Sequence, residues 1–295
     1  MNANWWGLVG ETLTKKLGRI SKTSEVISGI PGSGVDQFGV PYSLTEEFVS
    51  VYRMHSLMPD SIAFFDANDG EHKSTIPVSD MLFTQAQEPL DKDVSFADAF
   101  YSFGINYPGA ITNYNYPAFL RNLTTPDGLH RDLGTVDLLR DRERGVPRYN
   151  EFRRLLRMPA FKTFEELTGG NKALAADLSD AYNGNIELVD VLIGSHSELL
   201  PEGFGFSDTA FRIFILMASR RLKSDRFLGG QWNAETYTTE GLNWVQNSGM
   251  KDVLIRHFPE LKGVLGSSSN VFAPWDKLPK SGEYGGIETN APTKK

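Results

Sequence analysis

Two runs decide the reading of this chain: Gly39-Val40-Pro41-Tyr42-Ser43-Leu44-Thr45-Glu46-Glu47-Phe48, and shortly after it Val51-Tyr52-Arg53-Met54-His55-Ser56-Leu57-Met58-Pro59-Asp60. Phe48, Val51, Tyr52, His55 and Met58 recur at three- and four-residue steps, the spacing of one helix face. The pattern predicts a helix from about Leu44 to Leu57. Ser43 and Glu46 have capping-box spacing at its start, and Pro59 stops it. Tyr52 and His55 would then sit side by side. On spacing alone the favoured reading is a core helix whose interior Tyr and His each find a hydrogen bond.

A second reading is chemically sharper. A neutral imidazole on a buried face is a natural axial ligand for haem iron. A phenol one turn away is placed to give an oxidised haem an electron and become a tyrosyl radical.

Composition narrows the field. The chain has 295 residues, 40% hydrophobic and 23% charged, as in an ordinary globular protein. Its net charge is −7 and its pI near 5.3, so no basic excess is available to neutralise the phosphates of a nucleic acid. It has no cysteine, which excludes a disulfide framework and a thiolate metal site. The first residues lack a basic stretch followed by an apolar run, and no stretch of about 18 apolar residues occurs. These features predict no signal peptide and no membrane span, and a cytoplasmic or membrane-peripheral protein. The signals along the chain are mostly helical, with few period-2 patterns. Short helices are expected over Trp5 to Ile20, Asn115 to Leu123, Thr135 to Arg144, Phe161 to Leu167, Lys172 to Tyr182 and Ile186 to Ile193. A long helix is expected from Ser207 to Phe227, then two more over Thr238 to Gln246 and Met250 to Phe258. Ser61 to Pro108 reads as mixed and loop-rich. Residues 1–262 read as one catalytic unit and 263–295, rich in Gly, Ser, Pro and Lys, as a loosely ordered tail.

The two opening runs resemble the proximal helix of plant-type fatty-acid α-dioxygenases and, more distantly, that of cyclooxygenases. Both belong to the animal-type haem peroxidase superfamily. Asn115-Tyr116-Pro117, Ser207-Asp208-Thr209-Ala210-Phe211 and the segment from Lys251-Asp252-Val253 to His257-Phe258-Pro259 resemble α-dioxygenase segments in the same order. The resemblance runs from about Trp6 to Trp275. It implies a mostly α, peroxidase-like fold of which this is the C-terminal, proximal half. It implies that His55 is the proximal ligand of a non-covalent haem b. Tyr52 would be the residue whose radical abstracts hydrogen from a fatty acid. Molecular oxygen would then add to give a 2-hydroperoxy acid, with hydrogen peroxide as activator.

The run from Arg140 to Arg153 alternates charges and reads first as a solvated helix end laced with ion pairs. Tyr149 and Phe152 point to partial burial. The run also resembles the arginine-, acid- and glycine-containing signature that follows the haem pocket in the superfamily. In related peroxidases an asparagine eight residues before that glycine holds the proximal histidine. Counting back from Gly145 places Asp137 there, and a carboxylate at that position would pull His55 toward imidazolate.

Farther on, Ile213 to Ala218 is apolar all round and predicts a fully buried turn and a half. Arg220 and Arg221 follow, about 100° apart on the helix. An arginine at the edge of a buried helix needs an anion. That anion is Asp225, solvent, or a substrate carboxylate, which suits bidentate guanidinium pairing. By resemblance the carboxylate anchor is Arg221, with Arg220 as the fallback.

Other signals carry less. Asp66-Ala67-Asn68-Asp69-Gly70 hints at a calcium loop, but its spacing is wrong and no glutamate closes it. His72, His130, His196 and His257 lie too far apart for a local metal motif. Family members are about twice this long. Their distal histidine and calcium site lie in the part preceding this segment, so a missing N-terminal half is expected as a partner. Two alternatives remain: a plain peroxidase oxidising small reductants at the haem edge, and an inactive fragment that packs against a partner chain.

Overall fold

A computed structural model describes residues 44–283 except 91, 225–230, 267–269 and 273; the side chains of 215, 216, 219, 220, 222–224 and 283 are not described. The expected helix over Trp5 to Ile20, Ser43 and Asp225 therefore lie outside the described residues. The chain is mostly helical, as expected. Helix α1 (Glu46–Val51) is followed by a 3-10 turn, His55–Leu57, and then by the antiparallel hairpin of β1 (Ser61–Phe65) and β2 (His72–Pro77). Next come α2 (Phe96–Ile105), α3 (Ala118–Arg121) and a two-residue hairpin, β3 (Leu123–Thr124) with β4 (His130–Arg131). Helices α4 (Leu133–Glu143), α5 (Tyr149–Leu155), α6 (Phe164–Leu167), α7 (Lys172–Ala181) and α8 (Val191–Ser197) follow. The long α9 (Asp208–Ser224) precedes α10 (Ala234–Asn247), α11 (Met250–His257) and α12 (Lys262–Leu265). No helix among the described residues is long and apolar enough to cross a membrane.

Two hydrophobic clusters organise these elements. In the first, Val51 of α1 meets Tyr149 and Phe152 of α5, Leu178 of α7, Val191 of α8, and Ile213 and Met217 of α9. This cluster sets α1 against the second half of the chain. In the second, Ala63 and Phe65 of β1 pack on Tyr101 and Ile105 of α2, with Leu254, Leu265 and Trp275 closing the other side.

The region from Ser61 to Pro108 is more regular than its sequence predicts. The Asp66–Gly70 stretch is the hairpin turn: Gly70 has φ +83°, and the Asp66 carboxylate accepts from Asn68 N at 2.8 Å. Helix α2 was hidden because Phe96, Phe100 and Phe103 face outward and blur its amphipathic pattern. Ser95 and Asp98 start it with a capping box. Asp98 also accepts from Ala67 N at 2.8 Å and pairs with Lys73 Nζ at 2.8 Å, so the helix start plugs the hairpin end. Among the described residues beyond 262, residues 263–265 belong to α12, the backbone N–H of Trp275 donates to Gly104 O at 2.8 Å, and Ser281 shares a 2.8 Å hydrogen bond with Tyr101.

Smaller differences have local causes. Asn115 to Leu123 is helical only over α3, because Pro117 stands at its start. Ile186 to Ile193 divides into a 3-10 turn, Ile186–Leu188, and α8. Helix α10 carries a kink at Thr238, with φ 61°. Ile213 and Met217 are buried, whereas Phe214 and Ala218 are half-buried, so that part of α9 is not fully buried.

Asp98 makes the hairpin dock pH-dependent. Burial raises its pKa, but Lys73 and the Ala67 and Ser95 N–H groups outweigh that and hold it below the usual 3.8. A depressed carboxylate contributes stability that is present above its unfolded pKa and lost as pH falls through the folded value. Asp98→Asn should therefore lower stability at neutral pH by about 1.5–3 kcal/mol, the scale of a hydrogen bond to a charged group. It should also flatten the loss of Tm below pH 4, as read by thermal denaturation across pH.

Candidate active site

Helix α1 is shorter than the sequence predicts. Its N-cap is Thr45, whose hydroxyl accepts from Phe48 N at 3.3 Å; this replaces the expected start at Ser43 and Glu46. Its last residue is Val51, and Tyr52 is the C-cap with φ −88° and ψ 49°. Tyr52 and His55 therefore do not share one continuous helix face. His55 opens a separate 3-10 turn. No Gly or Pro marks this break. Its cause is tertiary: Arg53 turns aside to pair with Asp137 on α4, Nη1 to Oδ1 3.0 Å. One turn along α4, Asp141 accepts from Ser50 Oγ at 2.8 Å. The two buried carboxylates of α4 thus grip the chain on both sides of the break.

His55 Nδ1 lies 3.7 Å from Asp137 Oδ2, and both atoms are buried without a hydrogen-bond partner. The His55 side chain keeps 26% of its surface exposed, so that exposure falls on the ring away from Nδ1. Burial lowers the His55 pKa and Arg53 lowers it further, while Asp137 opposes both. Burial raises Asp137 in turn, against the pull of Arg53, His55 and Arg140. The Tyr116 ring packs against the imidazole, centroids 5.8 Å apart.

Tyr52 is 48% exposed and rests on aromatic rings. It stacks on Phe48 at 5.0 Å and on Phe214 of α9 at 5.9 Å, nearly parallel to the latter. Phe214 continues to Phe211 at 5.7 Å, and Phe211 to Phe204 at 4.6 Å. Arg221 follows Phe214 by seven residues, two helical turns, so both lie on one face about 10 Å apart along the axis. Arg220 is rotated by a third of a turn from that line, and its side chain is not among those described. Arg221 is exposed and does have an interaction partner.

The charged run beyond α4 is more buried than a solvated helix end. Arg142 and Arg148 both pair with Asp190, which is 2% exposed. Arg153 pairs with Glu198 at 2.8 Å, and Tyr149, 1% exposed, donates to the same carboxylate. Arg140 and Arg144 reach back to Glu46 on α1.

Sequence reasoning assigned no role to Arg53, Tyr116 or Phe214. A charge inside an apolar stripe was a usable signal for Arg53. Nothing local marks the other two, because their partners lie far off in sequence. These residues fit a haem axial ligand: the imidazole has one buried nitrogen facing a carboxylate and an open edge opposite. Asp137→Ala leaves Arg53 without its counter-charge in a mostly buried place. It should cost about 3–5 kcal/mol, the scale for breaking a buried pair. Urea denaturation measures this, and Asp137→Asn should recover part of the loss.

Comparison with known proteins gives the family. The chain is 40% identical over 291 residues to an α-dioxygenase of Oryza sativa subsp. japonica, covering 94% of this chain and 46% of that protein. It is 41% identical over 294 residues to an α-dioxygenase of Pisum sativum, covering 95% and 45%. The crystal structure of the Oryza sativa fatty acid α-dioxygenase superposes with TM-score 0.75 at 39% identity, covering 93% of this chain and 47% of that one. A tyrosine-to-phenylalanine variant of that enzyme with palmitic acid matches at TM-score 0.74. Peroxidase A from Dictyostelium discoideum matches at TM-score 0.64 but 22% identity, which shows the fold alone. The chain spans about half the length of the curated relatives it matches. The animal haem peroxidase family matches residues 1–272, and the chain belongs to that family.

Proposed function

We propose that the protein holds haem b non-covalently and, with molecular oxygen, converts long-chain fatty acids to 2-hydroperoxy acids, with hydrogen peroxide as activator. The observation that carries this reading is the Tyr52–Phe214 ring stack, which joins the segment bearing His55 to the helix bearing Arg221. The palmitic acid complex of the Oryza sativa relative supports a long-chain acid as substrate.

His55 would hold the iron through the nitrogen opposite Nδ1. Asp137 would accept from Nδ1–H once the 3.7 Å gap closes, fixing the tautomer and raising the basicity of the ring. The haem, when bound, supplies a one-electron oxidant. Tyr52 gives up an electron and its phenolic proton, and its oxygen then takes a hydrogen atom from the substrate α-carbon. Oxygen adds to that carbon, and the peroxyl group takes a hydrogen atom back from Tyr52 to give the hydroperoxide. Arg221 would pair with the substrate carboxylate in bidentate fashion. Side chains on a helix lean toward its N-terminus, which brings this guanidinium back toward Phe214 and Tyr52. Its register with Phe214 favours it over Arg220 for this role.

Four substitutions test the assignment in the haem-loaded protein. His55→Ala should remove the Soret band on haem titration. Tyr52→Phe should keep the band and the fold, while oxygen uptake with palmitate falls to background; uptake near the parental rate would remove Tyr52 as the hydrogen abstractor. Arg221→Ala should weaken palmitate binding by about 2–3 kcal/mol, the scale of a charge-assisted pair, at unchanged haem content. Arg220→Ala should do less, and the reverse order would move the anchor to Arg220.

A further inference from the structure

Ring contacts orient the Tyr52 phenol. Among the described residues no hydrogen bond reaches its hydroxyl. Its backbone lies at the cap just beyond α1, so the helix does not fix the side chain. Two rings meet it. Phe48, four residues earlier, lies at 5.0 Å with an interplanar angle of 18°. Phe214 of α9 lies at 5.9 Å and is closer to parallel, at 8°. Phe48 and Phe214 also meet each other at 6.4 Å, so the three rings close a triangle.

The two supports differ in what stands behind them. Phe48 belongs to the short helix that ends beside Tyr52. Phe214 is braced from the core. It stacks at 5.7 Å on Phe211, which is 3% exposed. Phe211 is held edge-on by Phe204 at 4.6 Å and met by Phe206 at 6.0 Å. Phe214 also shares α9 with Arg221, two turns farther on. The rise of a helix fixes their separation along the axis at about 10 Å. One helix therefore sets the plane of the phenol through Phe214, and would set the substrate carboxylate through Arg221.

We propose that Phe214 is a positioning residue that selects C2 of the fatty acid as the carbon that loses hydrogen. The inference rests on the fatty-acid reading above. When the Tyr52 radical acts, an O–H bond forms, a C–H bond breaks, and the carbon radical adds molecular oxygen. The peroxyl group then takes a hydrogen atom back from Tyr52. The same balance of atoms and electrons holds at C3, so the choice between the two carbons is geometric. Bonded carbons are about 1.5 Å apart, and reacting atoms must approach to about 3–3.5 Å. The phenolic oxygen must then be held, relative to the carboxylate, to within one bond length. A stacked ring on the helix of the carboxylate anchor does this, because stacking restricts the plane of the facing ring. An aliphatic side chain at 214 keeps apolar contact but has no plane to impose.

Phe214→Leu and Phe214→Met test the proposal, with Phe48→Leu for comparison. The first readout uses the haem-free chain with 13C-labelled tyrosine. Loss of a signal in Tyr52→Phe identifies the Tyr52 ring resonance. In both Phe214 variants it should move toward the position of an unstacked tyrosine, while the other tyrosine resonances and Tm hold. The second readout is the product from palmitate, oxygen and hydrogen peroxide in the haem-loaded protein, located by mass spectrometry after reduction of the hydroperoxides. The parent should give the 2-hydroperoxide. The Phe214 variants should add the 3-hydroperoxide at unchanged haem content, and slow oxygen uptake about tenfold. Phe48→Leu should change the product less. An unmoved Tyr52 resonance in both Phe214 variants overturns the proposal. With an active parent, a product that stays purely the 2-hydroperoxide in both variants overturns the selection alone. A parent that makes no 2-hydroperoxide overturns the fatty-acid reading, and the selection with it.

Discussion

The interaction on which the rest depends is the grip of α4 on the chain around Tyr52. Asp137 and Asp141 lie one turn apart on α4, and both are 3% exposed. A buried carboxylate is costly unless a cation or a donor meets it. Arg53 meets one and Ser50 the other, from opposite sides of the point where α1 ends. The same pairs therefore fix where the helix stops and where His55 emerges. Asp190 repeats the device farther along by holding Arg142 and Arg148, which ties the end of α4 to α8. The charged run is thus internal bracing, with acids drawn from three separate parts of the chain.

The second constraint is aromatic. Phe48, Tyr52, Phe214, Phe211 and Phe204 form a continuous series of ring contacts from α1 across α9. Stacked pairs of this kind add to the gain from burial and restrict ring orientation. Tyr52 can stay half exposed and still be oriented, because its neighbours define the plane of its ring. An interior Tyr tied down by hydrogen bonds would be better held but would not reach a bound molecule.

The surroundings of His55 are incompletely satisfied. His55 Nδ1, Asp137 Oδ2, Ser56 Oγ, the Tyr116 hydroxyl and two guanidinium nitrogens of Arg53 are buried without partners. Most buried polar atoms in folded proteins are paired, and exceptions cluster where chemistry or ligands complete them. The reading of His55 as an axial ligand starts from that concentration.

Sequence by itself determined the helical class and the family, and it singled out Tyr52 and His55. These are written in side-chain type and short spacing, which survive translation into structure. It also pointed to Asp137, eight residues before Gly145, and the fold sets that carboxylate beside the imidazole. The end of α1 at Val51, the hairpin over Ser61 to Pro77 and the outward aromatic face of α2 were not legible. Each is decided by a partner distant in sequence: Asp137 for Arg53, and Asp98 and Ser102 for the hairpin backbone. Local propensity chooses which elements can form, but buried charges and ring stacks choose where they end and what they face. Those terms exist only when residues far apart in sequence come into contact.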